Sequence, residues 1–194
     1  LRTRVPMMHV WRSVIGTISL TAWFYAIAVL PLATAMTLNY MSSVWIATFL
    51  LGGALLTQGR NAPIQQQAPL FLTVLAGFGG VAMMLRPTLA PEQVLGALVG
   101  LVSGIFAALA YLQVTALSRA GEPESRTVFY FSIGAVVAGL IGMLFVGATP
   151  LTWPAALWLL PIGLLALGGQ LCMTRAYTRG ATMLVANLQY SGIV

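Results

Sequence analysis

The sequence predicts an all-α protein that crosses a lipid bilayer several times. Charged residues make up 6% of its 194 residues, whereas a soluble domain carries roughly 25%. Hydrophobic residues make up 59% of the chain. The charge-free stretches are 13–59, 61–85, 93–118 and 127–174. Each of them can hold at least one membrane-spanning helix, which needs roughly 20 apolar residues.

Proline, glycine and charged residues divide the chain into seven helical segments. We expect helices at about 12–30, 33–56, 66–85, 93–118, 127–147, 154–177, and from 181 to the end. Pro31 divides the first long stretch, and the turn from Gly147 to Pro154 divides the last one. Proline suits the first position of a helix, where its missing N–H is not needed. Pro161 falls inside the sixth segment, where a proline is expected to kink the helix, either as a structural feature or as a hinge.

Arginine placement predicts the orientation in the membrane. Eight arginines fall at one set of alternating helix ends, namely Arg2, Arg4, Arg12, Arg60, Arg119, Arg126, Arg175 and Arg179. The opposite set holds only Arg86. Because cytoplasmic loops are enriched in Lys and Arg, we expect the 1–12 end and the loops near 60, 122 and 179 to be cytoplasmic. Arg175 either ends its helix at that face or points into a cavity.

Small residues at four-residue spacing predict close helix contacts. Gly96, Gly100 and Gly104 form one such stripe, and small side chains allow two helix backbones to approach. Gly77 with Gly80, and Gly139 with Gly142, suggest similar contacts. A role in gating or solute passage is the alternative to packing.

Several functional classes are disfavoured by what the helices lack. The arginines lie at helix ends rather than on one soluble face, which argues against nucleic-acid binding. We expect Glu92, Glu122 and Glu124 in loops, and His9 solvated in a loop. The helices of this sequence therefore offer no carboxylate for a proton relay, although a helix outside this sequence could carry one. Cys172 is expected to be a buried, inert thiol. With no base beside it and no cluster of metal ligands, we expect no enzyme, no metal site and no cofactor.

Internal repetition suggests an inverted arrangement. Shifting the chain by 150 residues places Asn39 on Gln189 and Tyr40 on Tyr190. The identities are few, but this offset spans five predicted helices. An odd number of helices per repeat inserts the second copy upside down, as in many transporters.

Three segments resemble a known family. The run from Trp23 to Ser43 resembles the third-to-fourth helix junction of EamA-type transporters of the drug/metabolite transporter superfamily. Arg175 to Val194 resembles the eighth-to-ninth junction, and Gly77 to Pro87, with its ending Gly-Gly-Val-Ala-Met-Met-Leu-Arg-Pro, is similar to the fifth helix. The chain departs from the family at Gln58-Gly59-Arg60, where many members have Gly-Glu, so no role of that glutamate is carried over.

The resemblance implies helices 3 to 9 of a ten-helix bundle built from two inverted five-helix repeats. Residues 1–88 would belong to the first repeat and residues 89–194 to the second. It implies an inner-membrane carrier that exports small polar metabolites by alternating access, with amino acids first because YddG-type amino-acid exporters are members. The alternatives are transport of another metabolite or a drug-like cation, a passive channel, or a structural subunit. The expected partners are the substrate and the bilayer, in a monomer or weak dimer.

Polar and aromatic residues inside the predicted helices are the candidate site. They are Trp23, Asn39, Tyr40, Ser43, Tyr111, Asn187, Gln189 and Tyr190. Polar groups at this depth need partners, so the amides, hydroxyls and phenols either bond between helices or line a central cavity. Trp23 and Tyr111, in rows at i,i+4 spacing, either wall that cavity or pack against helices and lipid. Neutral groups of this kind suit a zwitterion or another small polar metabolite.

Overall fold

Seven α-helices and two short 3₁₀ helices make up the computed structural model, which describes residues 3–58, 64–147 and 152–193. The α-helices are α1 (Pro6–Val29), α2 (Leu32–Gln58), α3 (Ile64–Leu85), α4 (Val94–Arg119), α5 (Glu124–Val146), α6 (Trp153–Arg179) and α7 (Thr182–Leu188). The 3₁₀ helices are Pro91–Gln93, before α4, and Gln189–Ile193, after α7. No strand occurs within these ranges.

Five of the described helices are long and apolar enough to cross a membrane. They are α1, α2, α4 with the preceding 3₁₀ turn, α5 and α6. In α3, which has Pro69 inside it, the apolar part is the shorter stretch Ala68–Met83. The protein is therefore a multi-pass membrane protein, and the predicted all-α class is confirmed.

Helix α4 is the centre of the bundle and packs most extensively against α1 and α2. Its glycine stripe makes these contacts possible. A Cβ added at Gly100 would lie 2.9 Å from the Leu38 side chain, and one at Gly104 would lie 2.9 Å from the Leu38 carbonyl oxygen. The predicted close packing at this stripe is confirmed. The expected contacts of Gly80, Gly139 and Gly142 are absent, since no described atom lies within 4 Å of a Cβ built there.

Hydrogen bonds tie the helix ends together on both sides of the bundle. At one end, the Thr3 hydroxyl donates to Glu122 at 2.7 Å, and Arg179 donates to Glu124 at 2.9 Å. The start of α1, the α4–α5 loop and the end of α6 thus meet at the same end. At the other end, Thr34 Oγ1 donates to the Thr88 carbonyl at 2.6 Å and accepts from the Thr88 N–H at 3.0 Å.

The structure corrects four sequence-based expectations about local environment. The first helix begins at Pro6 rather than near residue 12, because proline fits its first turn. His9 and Arg12 therefore lie inside α1, with 1% and 3% of their surface exposed, and neither is in a solvated loop. The segment after residue 181 is not one continuous α-helix, since α7 ends at Leu188. Cys172 is exposed on α6 rather than buried. Arg60, one of the arginines expected at the cytoplasmic helix ends, lies outside the described residues.

Candidate solute-binding cavity

A cavity of about 210 Å³ opens between α1, α2, α4, α5 and α6. Every lining residue belongs to one of the five helices that can span a membrane. The residues that line it are Arg12, Gly16, Ser19, Leu20, Trp23, Asn39, Ala107, Ala110, Tyr111, Phe131, Gln170 and Met173. Its walls therefore combine one cation, amides, hydroxyls and three aromatic rings within an otherwise apolar bundle.

Arg12 reaches this cavity because the next turn of α1 carries glycine. Residues at i and i+4 lie above one another on a helix, and the Arg12 guanidinium lies where a Cβ on Gly16 would be. From there it stacks on the Phe131 ring of α5, with Cζ 4.3 Å from the ring centroid. A cation–π contact of this type contributes about 0.5–2 kcal/mol. Any side chain larger than hydrogen at position 16 would displace the guanidinium.

The buried charge of Arg12 lacks an acidic partner among the described residues. Its Nε and Nη1 atoms have no hydrogen-bond acceptor there. The sequence contains three acidic residues in total. Glu122 pairs with His9 and Arg126, Glu124 pairs with Arg179, and Glu92 lies at the far end of α4 in an exposed 3₁₀ turn. A buried charge without a partner is costly in a protein interior, so this arrangement needs a functional explanation.

Hydroxyl and amide groups complete the polar lining. Ser19 Oγ donates to the Ser103 carbonyl at 2.9 Å, which joins α1 to α4 at the cavity wall. Gln170 of α6 is half-buried, and its Oε1 accepts no hydrogen bond from a described residue. Asn39 of α2 is also half-buried and lines the cavity. The cavity thus offers both donors and an acceptor to a solute.

Tyr177 of α6 stacks on Tyr111 of α4, which lines the cavity. The rings of Tyr111 and Tyr177 have centroids 4.9 Å apart and planes inclined by 9°. Tyr177 is 1% exposed, so it supports Tyr111 from behind. Thr115 follows Tyr111 by one turn and donates to the Tyr177 carbonyl at 3.3 Å. This stacking holds the Tyr111 ring at the cavity that Arg12 also lines.

A second polar cluster lies next to the cavity, where α2 meets the 3₁₀ turn after α7. Ser43 Oγ lies 2.8 Å from the Ala186 carbonyl oxygen and 2.9 Å from Gln189 Oε1. The Gln189 side chain also lies near the Tyr111 phenol, so this cluster adjoins the cavity. The Tyr40 and Tyr190 rings lie with centroids 6.0 Å apart. Tyr40 and Tyr190, one of the two residue pairs matched by the 150-residue offset, are therefore neighbours in space.

The eight predicted site residues occupy three places. Trp23, Asn39 and Tyr111 line the cavity. Tyr40, Ser43, Gln189 and Tyr190 form the adjacent cluster. Asn187 lies apart from both, because its Nδ2 donates to Thr73 Oγ1 of α3 at 2.9 Å. The role of these residues in substrate binding stays a prediction.

Sequence reasoning missed Arg12, Phe131 and Gln170 as cavity residues. Arg12 was assigned to a cytoplasmic end because helix α1 was expected to begin there. The i,i+4 pair of Arg12 and Gly16 is the sequence signal that predicts a side chain folded onto its own helix. Gln170 is a polar residue within a charge-free apolar run, which is also a detectable signal. Arg175, by contrast, is exposed and does not line the cavity.

A buried ionic cluster closes one end of the bundle. Glu122, in the α4–α5 loop, is 6% exposed and accepts from Thr3 at 2.7 Å and from Arg126 at 2.9 Å. His9 Nε2 lies 3.2 Å from Glu122 Oε2, the oxygen that also accepts from Arg126. The hydrogen bond from Thr3, followed by those from Arg126 and His9, lowers the pKa of Glu122 to about 2. The carboxylate therefore stays ionised and holds the start of α1 against the loop.

Sequence comparison finds membrane transporters among the proteins that this chain is similar to. The chain is 37% identical over 202 aligned positions to the pseudopaline exporter CntI of Pseudomonas aeruginosa; the alignment covers 100% of the chain and 64% of that protein. The chain is a relative of membrane transporters. It is also 27% identical to an uncharacterized transporter of Helicobacter pylori, over 95% of the chain and 61% of the relative. A riboflavin transporter of Rhizobium johnstonii is 28% identical, over 91% of the chain and 55% of the relative.

The chain thus spans less than two thirds of the length of these relatives. No family model matches it. The chain superposes on the crystal structure of another protein with a TM-score of 0.70 at 20% identity, over 98% of this chain and 64% of the other. That similarity establishes a shared fold.

Proposed function

We propose that the protein is an inner-membrane carrier of the EamA type, within the drug/metabolite transporter superfamily, that exports a small polar organic metabolite. One observation carries the proposal: a cavity with polar walls lies inside the helices that span the bilayer. Ionisable residues within membrane helices mark substrate and ion pathways, proton relays or ligand counter-ions. Relatives named as an exporter and a transporter support the same class of function.

The solute binds between helices from both halves of the chain. Trp23 and Asn39 belong to residues 1–88, whereas Tyr111 and Gln170 belong to residues 89–194. If these halves are parts of two inverted repeats, rocking of one against the other exposes the cavity to each side of the membrane in turn. The arginine-rich end, where Glu122 and Glu124 form their ion pairs, is the cytoplasmic one.

Amino acids are the first substrates to test. Arg12 provides hydrogen-bond donors, and Gln170 Oε1 provides an acceptor, so the cavity complements both ends of a zwitterion. Trp23, Tyr111 and Phe131 provide apolar surface for a side chain. Riboflavin is a second probe, because a relative is named as its transporter.

Flux into proteoliposomes tests this function. The complete protein is reconstituted, and uptake of labelled threonine, methionine, phenylalanine and riboflavin is measured with and without a proton gradient. We expect saturable flux that Asn39→Ala reduces and that Asn187→Ala reduces less, since Asn187 bonds to Thr73 away from the cavity. Both variants delete an amide, which makes them matched. Unitary currents in a bilayer would instead indicate a channel, and absence of flux for every probe would contradict the proposed substrates.

A further inference from the structure

We propose that Arg12 is the binding site for a carboxylate group of the transported solute, so the substrate class is small organic acids and zwitterions. This inference rests on the proposed function, because it names the chemical group that the carrier recognises. Its starting point is a guanidinium that lies at membrane depth, is 3% exposed, and has Nε and Nη1 without acceptors among the described residues.

The position of Arg12 leaves its donors available to a solute. Gly16 gives the guanidinium space against α1, and Phe131 covers one of its faces at 4.3 Å. A ring that contacts the face leaves the edges free, and the N–H donors of a guanidinium all lie in its plane. A carboxylate has the geometry to accept two parallel hydrogen bonds from such an edge.

The three acidic residues of this sequence are already paired or lie far from Arg12. Glu122 and Glu124 form ion pairs with neighbouring basic residues, and Glu92 lies beyond the opposite end of α4. Among the described residues, the other ionisable side chain that lines the cavity is Tyr111, a hydrogen-bonding phenol. A solute carboxylate would supply the missing negative charge.

The surroundings of Arg12 restrict the type of acid. The cavity of about 210 Å³ places Ser19, Asn39 and Gln170 around the cation, together with aromatic walls. The acceptor on Gln170 favours a solute that carries an N–H or O–H donor as well as its carboxylate. An α-amino acid or a hydroxy acid with an apolar side chain fits this set of contacts.

Ligand binding in detergent tests the inference separately from transport. The thermal unfolding midpoint of the complete protein is measured with phenylalanine, benzoate and succinate, each against its neutral amide at equal ionic strength. We expect the carboxylates to raise the midpoint in a saturable way and the amides to have little effect. This comparison needs no variant, so it is independent of whether Arg12 substitutions fold.

Substitutions then assign the effect to Arg12. Arg12→Gln should weaken carboxylate binding by about thirtyfold or more, as expected for loss of a buried charge partner. Arg12→Lys should fall in between, because it keeps the charge but loses the planar set of donors. Gly16→Ala should also weaken binding, since its methyl group displaces the guanidinium. Arg119→Gln, which removes an exposed arginine at the end of α4, is the control and should bind as wild type.

Three outcomes would overturn the inference. They are equal binding of acids and amides, no effect of any acid on the wild type, and unchanged acid affinity in Arg12→Gln. If Arg12→Gln keeps its acid affinity but is less stable than wild type without ligand, Arg12 pairs with a group of the protein itself. Saturable flux without a preference for acids would leave the carrier function standing, whereas acid binding without flux would contradict the carrier function alone.

Discussion

Gly104 is the position where the helix packing predicts the clearest single-site effect. An added Cβ would lie 2.9 Å from the Leu38 carbonyl oxygen, whereas ordinary contact begins at 3.4 Å. The oxygen belongs to the backbone of α2 and cannot rotate away, so Gly104→Ala must push α2 and α4 apart by about half an ångström. Overpacking of this type typically costs about 1–3 kcal/mol.

Gly142→Ala is the matched control. Position 142 is exposed on α5, and no described atom lies within 4 Å of a Cβ there. Alanine is favoured over glycine within a helix by roughly 1 kcal/mol at either position. The stability difference between the two variants therefore isolates the crowding, and we expect Gly104→Ala to be the less stable by about 1–3 kcal/mol.

Reversible unfolding by SDS in mixed micelles measures this difference. The same two variants are also reconstituted into vesicles to show whether the separation of α2 and α4 reduces flux. An effect on flux is expected because Gly104 lies one turn before the cavity residue Ala107. Equal stability of the two alanine variants would refute the close packing of α2 on α4.

Two further predictions follow from the ends of the bundle and from its outer face. The pKa of Glu122 is about 2 in the folded protein, below its ordinary value of 4.5. The stabilisation is therefore complete above pH 4.5 and decreases as the pH falls toward 2, so the unfolding midpoint of wild type should decline more steeply than that of Glu122→Gln between pH 5 and 3. Equal slopes would refute this role. Cys172 is exposed and outside the cavity, so Cys172→Ser should keep wild-type flux and stability, and a large loss of either would contradict its placement.

Composition and periodicity predict much of the helical architecture. Pro31 and the region before Pro154 separate helices as expected, because proline and the loop residues around it interrupt apolar runs that are too long for one span. The stripe of Gly96, Gly100 and Gly104 predicts which face of α4 is buried. These features depend on local spacing, which a single sequence records directly.

The cavity and its neighbours depend on contacts that local spacing does not record. The sequence shows Trp23, Asn39 and Tyr111 as polar or aromatic groups at membrane depth, yet it does not show that Phe131 of α5 covers Arg12. His9 was expected to be solvated because its partner, Glu122, is 113 positions away. Cys172 was expected to be buried because apolar surroundings in sequence are the same for a lipid-facing and a core position in a membrane protein.

Cysteine labelling at position 39 tests most directly whether the cavity is a water-accessible solute path. Cys172 is the only cysteine of this sequence, so Cys172→Ser, together with replacement of any cysteine outside this sequence, provides a background in which Asn39→Cys is the single thiol. Gly142→Cys, on the exposed face of α5, is the comparison. We predict that a membrane-impermeant maleimide modifies the complete protein in sealed vesicles at position 39, that a transported solute protects this site, and that position 142 stays unmodified. An Asn39→Cys variant that is unreactive from both sides of the membrane would contradict the account.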